Sequence, residues 1–196
     1  MTDRLWLARH GSTEWTGVRW CGRTDIPLST GGLQEVVALA DRLERVLPEH
    51  AIVLSSPARR ATQTADQISR TRWGAADHDP TVVGELIEVD FGVVDGLTWV
   101  ELEGRLPDVA RAILGGDHID WPGGETSDAV DIRVRAVRRR IEESPAPLVL
   151  VSHAAILGRI AGDLTGTAPH EWGLAPASAL ELTRNHRAWS VPRTSE

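Results

Sequence analysis

The chain has 196 residues, of which 41% are hydrophobic, and this length suits a single domain over 1–196 with its own core. Its net charge of −7 excludes the broad basic surface on which nucleic-acid or anionic-membrane binding rests. All 21 basic residues are arginines, which excludes chemistry that depends on a lysine, such as a Schiff base.

An apolar run near the N-terminus, residues 4–9, is predicted to form a buried strand that stops at Arg9 and His10. Ligands of open α/β sheets bind just past the carboxyl ends of the strands. Arg9 and His10 are therefore candidates for ligand contact, and the alternative is that they simply end the strand in solvent. Residues 10–25 show neither helical nor strand periodicity and are predicted to form a functional loop.

After this loop, the spacing of apolar residues predicts helices and strands in alternation. They are a helix over 31–47, a strand over 51–55, a helix from Ser56-Pro57 to about residue 72 and a strand over 81–83. Ser56 is expected to cap the second helix, with Pro57 in its first turn. Arg59 and Arg60 then lie in a first turn, where cations are disfavoured unless an anion binds in front of the helix. The alternative is that both arginines are solvated.

The stretch 93–124 has the weakest secondary-structure signal in the sequence. It is predicted to form a partial cover over one end of the sheet, with short helices near 99–103 and 107–114. After it come a helix from Thr126-Ser127 to Pro145, a strand over 148–152, a helix over 155–164 and a hairpin of 179–183 with 188–191. This alternation predicts an α/β three-layer sandwich, with a mostly parallel sheet and helices on both faces.

Side chains that can carry chemistry follow several of these strands, and the carboxyl ends of parallel strands meet at one edge of a sheet. The set expected there is Arg9, His10, Arg60 and His153, with Glu88 nearby. Arginines bind phosphoryl oxygens through charge-assisted hydrogen bonds, an uncharged imidazole can attack phosphorus, and a carboxylic acid can protonate the leaving oxygen. The set therefore favours phosphoryl transfer.

Four separated motifs support this interpretation: Arg9-His10-Gly11-Ser12-Thr13-Glu14-Trp15-Thr16, the segment 55–65, Leu86 to Gly92 and Val151-Ser152-His153. In this order they resemble the R-H-G-E-[ST]-x-W-N, S-S-P-L-x-R-A-x-Q-T-A, L-x-E-x-x-x-G and V-[SA]-H-G motifs of the histidine phosphatase superfamily, also called the phosphoglycerate mutase-like fold. The segments 22–28 and 122–126 are similar to linking segments of that family. The resemblance extends from about residue 4 to residue 191.

The resemblance assigns a role to each member of the set. It implies that His10 is the nucleophile that becomes phosphorylated, that Arg9, Arg60 and His153 bind the phosphoryl group, and that Glu88 is the general acid and base. Arg60 rather than Arg59 matches the family arginine, because it directly precedes an alanine. The residues expected to contact substrate are Thr13, Thr16, Cys21, Gly22, Arg23 and Ala154.

Three positions depart from the family pattern: Ser12 stands where Glu is usual, Thr16 where Asn is usual, and Ala154 where Gly is usual. Thr16 keeps a hydrogen-bond donor but has a shorter reach. The methyl group of Ala154 is expected to narrow the pocket.

The implied activity is that of a metal-independent phosphomonoesterase that acts on a small phosphorylated metabolite through a phosphohistidine intermediate. It needs no cofactor, and no nucleic acid or membrane is expected as a partner. One alternative is a cofactor-dependent phosphoglycerate mutase, but mutases of this fold are longer and carry extra insertions. The other is a non-catalytic module that binds a phosphorylated ligand, although all five catalytic positions are retained. Leu5-Trp6-Leu7 and the segment 21–25 resemble the α-ribazole phosphatase branch, and broad acid phosphatases are also similar.

The remaining composition sets further expectations. The single cysteine, Cys21, cannot form an internal disulfide, and no apolar run could span a bilayer, so a cytoplasmic protein is expected. No Cys/His cluster has zinc spacing, so a metal-free site is expected. Its oligomeric state stays open, with a homodimer as one alternative.

The chain has eight tryptophans and one phenylalanine, and Trp20 or Trp121 is predicted to form an apolar wall for the organic part of the substrate. The alternative is that these tryptophans are ordinary core residues.

Overall fold

The computed structural model describes residues 3–74, 79–116, 119–186 and 188–192. Its strands and helices are β1 (Arg4–Arg9), α1 (Thr30–Glu44), β2 (Ile52–Ser55), α2 (Arg59–Trp73), β3 (Thr81–Val82), α3 (Trp99–Arg105), α4 (Pro107–Gly115), α5 (Ser127–Glu143), β4 (Leu148–Ser152), α6 (Ala154–Thr165), β5 (Ala179–Asn185) and β6 (Ala188–Ser190). Within these ranges no helix is long and apolar enough to cross a membrane.

The strands form one six-stranded sheet in the order β3-β2-β4-β1-β5-β6. The first four of these strands run parallel, and β5 and β6 are antiparallel to their neighbours. The prediction of a mostly parallel sheet closed by a hairpin is confirmed. β1 lies at the centre of the sheet between β4 and β5, so the residues that follow it emerge at the middle of one edge.

Two hydrophobic clusters lie on opposite faces of this sheet, because successive side chains of a strand point to opposite sides. Leu5 and Leu7 of β1 join the cluster that contains the apolar residues of α5 and α6. Trp6 and Ala8 join the cluster that contains those of α1 and α2. The predicted three-layer sandwich with helices on both faces is therefore confirmed.

The start of α2 differs from the prediction. The helix begins at Arg59 without a side-chain cap from its preceding residue, and the Ser56 hydroxyl instead lies 2.7 Å from Nε2 of His153. The Arg59 N–H donates to the Asp25 carboxylate at 2.7 Å. A protein carboxylate thus lies in front of the first turn that holds Arg59 and Arg60, where negative charge is favoured by the helix dipole.

Helix α1 is shorter than predicted. Ser29 caps it by accepting a hydrogen bond from the Gly32 N–H at 3.0 Å, as expected of a serine at that position. The helix ends at Glu44 rather than at residue 47, and residues 45–47 form a turn before Pro48, which has no N–H and disfavours the α conformation of the residue before it.

Candidate active site

The carboxyl ends of β1, β2 and β4 bring the predicted set together at one edge of the sheet. A cleft of about 300 Å³ opens there. Among the predicted site residues, those lining it are Arg9, His10, Thr13, Thr16, Cys21, Glu88 and Ala154. Arg60 and His153 lie behind the cleft, with 0% and 1% of their surface exposed.

The backbone around His10 is held by three different segments. The His10 N–H donates to the Ser152 carbonyl at 3.0 Å, and its own carbonyl accepts from the Ala177 N–H at 3.1 Å. Two residues further on, the chain meets α1 closely, since a Cβ at Gly32 would lie 1.9 Å from the Ser12 carbonyl oxygen. Only glycine permits that approach, so the loop after β1 is fixed against the helix.

The ring of His10 is oriented by one hydrogen bond. Its Nδ1 lies 2.7 Å from the Gly11 carbonyl oxygen, and because a carbonyl only accepts, Nδ1 carries the proton. Nε2 of the neutral ring then keeps its lone pair. Burial, followed by the charges of Arg60 and Arg9, lowers the pKa of His10 to about 3, against the opposing effect of the Gly11 bond. His10 is therefore an uncharged nucleophile candidate at neutral pH.

The guanidinium of Arg9 is held by a hydrogen bond at one terminal nitrogen and has an unpartnered N–H at Nε among the described residues. One terminal nitrogen of Arg9 donates to the Leu174 carbonyl at 2.8 Å, while its buried Nε has no hydrogen-bond partner among the described residues. Burial lowers the pKa of Arg9, and the nearby Glu88 carboxylate opposes this shift. A guanidinium stays charged in proteins, so Arg9 presents a cation and a donor to an anion in the cleft.

His153 is held between Arg60 and Ser56. The Nε of Arg60 donates to Nδ1 of His153 at 3.2 Å, so the proton of the neutral ring lies on Nε2, which donates to the Ser56 hydroxyl. Burial, together with His10 and the nearby arginines, lowers the pKa of His153 well below its usual value. The rings of His10 and His153 meet edge-on, with centroids 5.0 Å apart. Both imidazoles are thus neutral beside two arginines.

The guanidinium of Arg60 is enclosed by backbone oxygens. Its two terminal nitrogens donate to the Thr24 carbonyl at 2.9 Å and to the Gly22 carbonyl at 2.8 Å. With the bond to His153, three of its five N–H groups are engaged. The other two have no partner among the described residues, and the whole side chain lies buried behind the cleft.

Asp95 holds this loop in place. Its carboxylate accepts from the N–H groups of Gly22, Arg23 and Thr24 at 2.9, 3.0 and 2.9 Å, and from the Thr24 hydroxyl at 3.0 Å. The same loop supplies the two carbonyls that receive Arg60. Asp95 therefore acts on the site through Arg60.

Glu88 lies at the N-terminus of α6. One carboxylate oxygen accepts from the Val89 and Ile156 N–H groups at 2.9 and 3.1 Å, and the other accepts from the Ala155 N–H at 3.2 Å. Burial raises the pKa of Glu88, an effect that exceeds the opposing influence of these hydrogen bonds and of Arg60. The carboxyl group thus has the tuning that a general acid needs.

The predicted substrate-contacting residues separate into two groups. Thr13, Thr16, Cys21 and Ala154 line the cleft, and Thr16 accepts a hydrogen bond from the Thr13 N–H at 2.9 Å. Burial raises the pKa of the Cys21 thiol, so it is not a competing nucleophile.

Gly22 and Arg23, which were predicted to line the substrate side, are not among the described residues that line the cleft. Gly22 faces Arg60 through its carbonyl, and a Cβ there would lie 2.9 Å from the Val89 carbonyl oxygen. Arg23 pairs with Glu125 at 3.1 Å. Both residues therefore support the site from beside the cleft.

Ser12, which replaces the usual Glu of the first motif, bonds away from the cleft. Its N–H and hydroxyl donate to the two carboxylate oxygens of Glu35 at 2.9 and 3.0 Å. This substitution therefore anchors the loop after β1 to α1.

Several functional positions carry no clear sequence signal. Ser56 contacts His153, although its place before a proline resembles a helix cap. Asp95 lies in an irregular stretch where neither periodicity marks it. Phe91 and Trp99 also line the cleft. The aromatic residues could have been found only by their proximity to the third motif and to the predicted cover.

A sequence profile of the histidine phosphatase superfamily, branch 1, matches residues 5–196. The chain belongs to the histidine phosphatase superfamily. The match includes all four motifs and every residue of the candidate site, and it confirms the resemblance that those motifs indicated.

Two curated relatives of the chain are informative. A bifunctional protein of Mycobacterium tuberculosis is 40% identical over 153 residues, which make up 76% of this chain and 41% of that protein. The chain thus spans about two fifths of that relative's length. A probable phosphoglycerate mutase of Salmonella paratyphi C is 31% identical over 172 residues, 83% of this chain and 75% of the mutase.

Solved structures of the superfamily match almost the whole chain. A mycobacterial glucosyl-3-phosphoglycerate phosphatase, solved in complex with VO3, has a TM-score of 0.83 and 28% identity over 97% of this chain and 98% of that one. A putative α-ribazole-5′-phosphate phosphatase of Escherichia coli has the same TM-score of 0.83 at 23% identity, over 98% of this chain and 95% of that one. At that identity the second match supports the fold alone.

We expect His10 to stay neutral, with its proton on Nδ1, as the pH falls from 7.5 to 4.5. A pKa of about 3 means that the unfolded chain binds more protons between pH 3 and about 6.5. The contribution of neutral His10 to the free energy of unfolding is therefore fully present above pH 6.5 and is lost as the pH falls toward 3. Nitrogen-15 NMR of the histidines, with His10→Asn for assignment, measures this directly. A titration midpoint near 6.5 would contradict the burial argument.

Asp95→Ala should lower kcat by about tenfold or more, because the 22–24 loop loses the acceptor that aims its carbonyls at Arg60. Asp95→Asn should recover part of this loss, since it keeps one oxygen acceptor. Asp41→Asn, at an exposed position of α1, is the matched control. Steady-state kinetics and a melting curve of each variant test the idea, which is wrong if kcat is unchanged while only the melting temperature falls.

Proposed function

We propose that the protein is a phosphomonoesterase that acts through a phosphohistidine on His10. The observation that carries this proposal is the neutral, oriented ring of His10 in a cleft that also contains the cation of Arg9 and the buried acid Glu88. Nucleophile, anion-binding donor and proton donor thus lie around one space. These are the parts that phosphoryl transfer requires.

The first step transfers the phosphoryl group to the enzyme. Arg9 and the remaining N–H groups of Arg60 bind the phosphoryl oxygens, and Nε2 of His10 attacks phosphorus. The N–P bond forms as the P–O bond to the alcohol breaks, and Glu88 gives its proton to the leaving oxygen. Positive charge develops on the imidazole ring, where the Gly11 carbonyl accepts from Nδ1 and stabilises it.

The second step returns the enzyme to its starting state. Water attacks the phosphohistidine, the N–P bond breaks, and the Glu88 carboxylate takes the proton of the attacking water. Inorganic phosphate leaves, and His10 is again neutral. In this scheme the two arginines supply the charge stabilisation for which other phosphatases use metal ions.

The substrate in this proposal is a small organic phosphoester, and no nucleic acid or membrane takes part. We also propose a cytoplasmic location, since Cys21 is the single cysteine of the chain. The VO3 complex of the mycobacterial phosphatase is in keeping with a phosphoryl-binding cleft on this fold.

A phosphoglycerate mutase is the second candidate, because the Salmonella relative is described as one. A mutase must hold its phosphorylated intermediate away from water. Among the described residues that line the cleft, Trp99 of α3 is the one that comes from the stretch 93–124, so the cover contributes little to its lining. This difference favours hydrolysis as the main reaction.

Release of inorganic phosphate from p-nitrophenyl phosphate tests the proposal. We expect turnover by the intact protein, undiminished in excess EDTA, and a loss of at least about a thousandfold in His10→Ala. Exchange of 2- and 3-phosphoglycerate without phosphate release would favour the mutase. Loss of activity in EDTA that magnesium or zinc restores would contradict the metal-independent scheme, and binding of phosphate without any turnover would favour a non-catalytic module.

Arg60→Ala should lower kcat/KM by about a hundredfold or more, because the buried guanidinium organises His153 and the 22–24 loop and contacts the phosphoryl group. Arg59→Ala should change kcat/KM by less than about threefold, since Arg59 is exposed and its hydrogen bond to Asp25 is made by the backbone N–H. The two adjacent arginines are therefore matched controls for each other. A larger effect at Arg59 would show that the family alignment is shifted by one residue.

A further inference from the structure

A second cavity, of about 360 Å³, adjoins the catalytic cleft. Trp20, Phe91, Ala154 and Ala155 line both spaces, so the two share a wall. The other apolar side chains of the second cavity are Val89, Ile113, Ile119, Trp121, Val130, Pro169 and Trp172, and its polar side chains are Ser127, Arg159 and His170. A molecule whose phosphate lies beside His10 therefore has an apolar space next to it.

Aromatic rings form the shared wall. The ring of Phe91 lies 5.4 Å from that of Trp20 and 4.5 Å from that of Trp121, between centroids, and Trp20 and Trp121 are 6.0 Å apart. Phe91 is buried, whereas both tryptophans remain partly exposed. Rings of this kind offer faces and edges against which another flat ring can stack.

The charge in this cavity is already matched within the protein. Arg159 lines it, and its guanidinium donates to the Asp131 carboxylate at 2.5 Å and to the Ser127 hydroxyl at 3.1 Å. A second anionic group of a ligand would compete with Asp131. Ser127, Arg159 and His170 are the polar side chains of the lining, so a sugar that filled the cavity would also place hydroxyls against apolar side chains, which costs free energy.

We propose that this cavity, here called the ring pocket, binds a flat, neutral, apolar or aromatic ring in the alcohol part of the phosphoester. This inference rests on the proposed phosphomonoesterase activity and names its substrate class. The phosphate of such a substrate lies beside His10 and Arg9, and its ring lies between Trp20, Trp121 and α4. The preferred substrate therefore differs from a sugar phosphate or a phosphoglycerate.

The test compares 2-naphthyl phosphate with glycerol 1-phosphate. Ile113→Trp, on α4, fills the ring pocket without removing a group from the catalytic cleft, and we expect the ratio of kcat/KM for the naphthyl ester over the glycerol ester to fall by at least about tenfold. Ile132→Trp adds the same ring to α5 at a position that is 61% exposed, and it should leave the ratio unchanged.

Trp121→Ala gives an independent measurement that does not depend on filling the cavity. It should raise KM for 2-naphthyl phosphate by about tenfold with little change for glycerol 1-phosphate. Equal losses on both esters in both variants, or no loss on either, would overturn the ring pocket while leaving the phosphatase activity in place. Failure of the unmodified protein to hydrolyse either ester would instead overturn the proposed function, and the ring pocket with it.

Discussion

The buried guanidinium of Arg60 is the constraint around which the active edge of the sheet is built. A charge that is fully removed from water is costly unless hydrogen bonds surround it, and here two backbone carbonyls and a ring nitrogen of His153 do so. That requirement fixes the path of the 22–24 loop, which in turn needs Asp95 to hold its amides. It also fixes which nitrogen of His153 carries the proton.

A consequence of this arrangement is that the histidines must be neutral. With Arg60 and Arg9 close by, a third or fourth positive charge would be strongly disfavoured, and burial acts in the same direction on His10 and His153. Burial acts in the opposite direction on Glu88 and raises the pKa of its carboxyl group. One buried environment thus moves the pKa values of the histidines and of the carboxylic acid in opposite directions, which ordinary solvent would not do.

Much of the fold and of the candidate active site could be predicted from the sequence. Apolar strands that end on Arg9-His10 and His153 are local signals, and parallel pairing alone brings them together. The roles of Ser56, Gly22 and Asp95 could not be predicted from the sequence, because each depends on contacts between segments that are distant in the chain. Ser56 followed by Pro57 has the local chemistry of a helix cap, and its hydroxyl does accept from the Ala58 N–H at 3.3 Å, but its contact with His153 is a tertiary one that the local pattern does not indicate. Motif spacing favoured Arg60 over Arg59, and in the structure Arg60 is buried beside His153 whereas Arg59 is exposed.

The position of Glu88 at the first turn of α6 affects more than its pKa. When the carboxyl group gives up its proton, the resulting anion already lies against the amides of Val89, Ala155 and Ile156. In the proposed mechanism, the side chain would therefore change from donor to acceptor between the two half-reactions without altering its rotamer. Under that proposal, differences in turnover among substrates would arise from how the organic group fits, because the same amide contacts hold the carboxyl group in both of its roles.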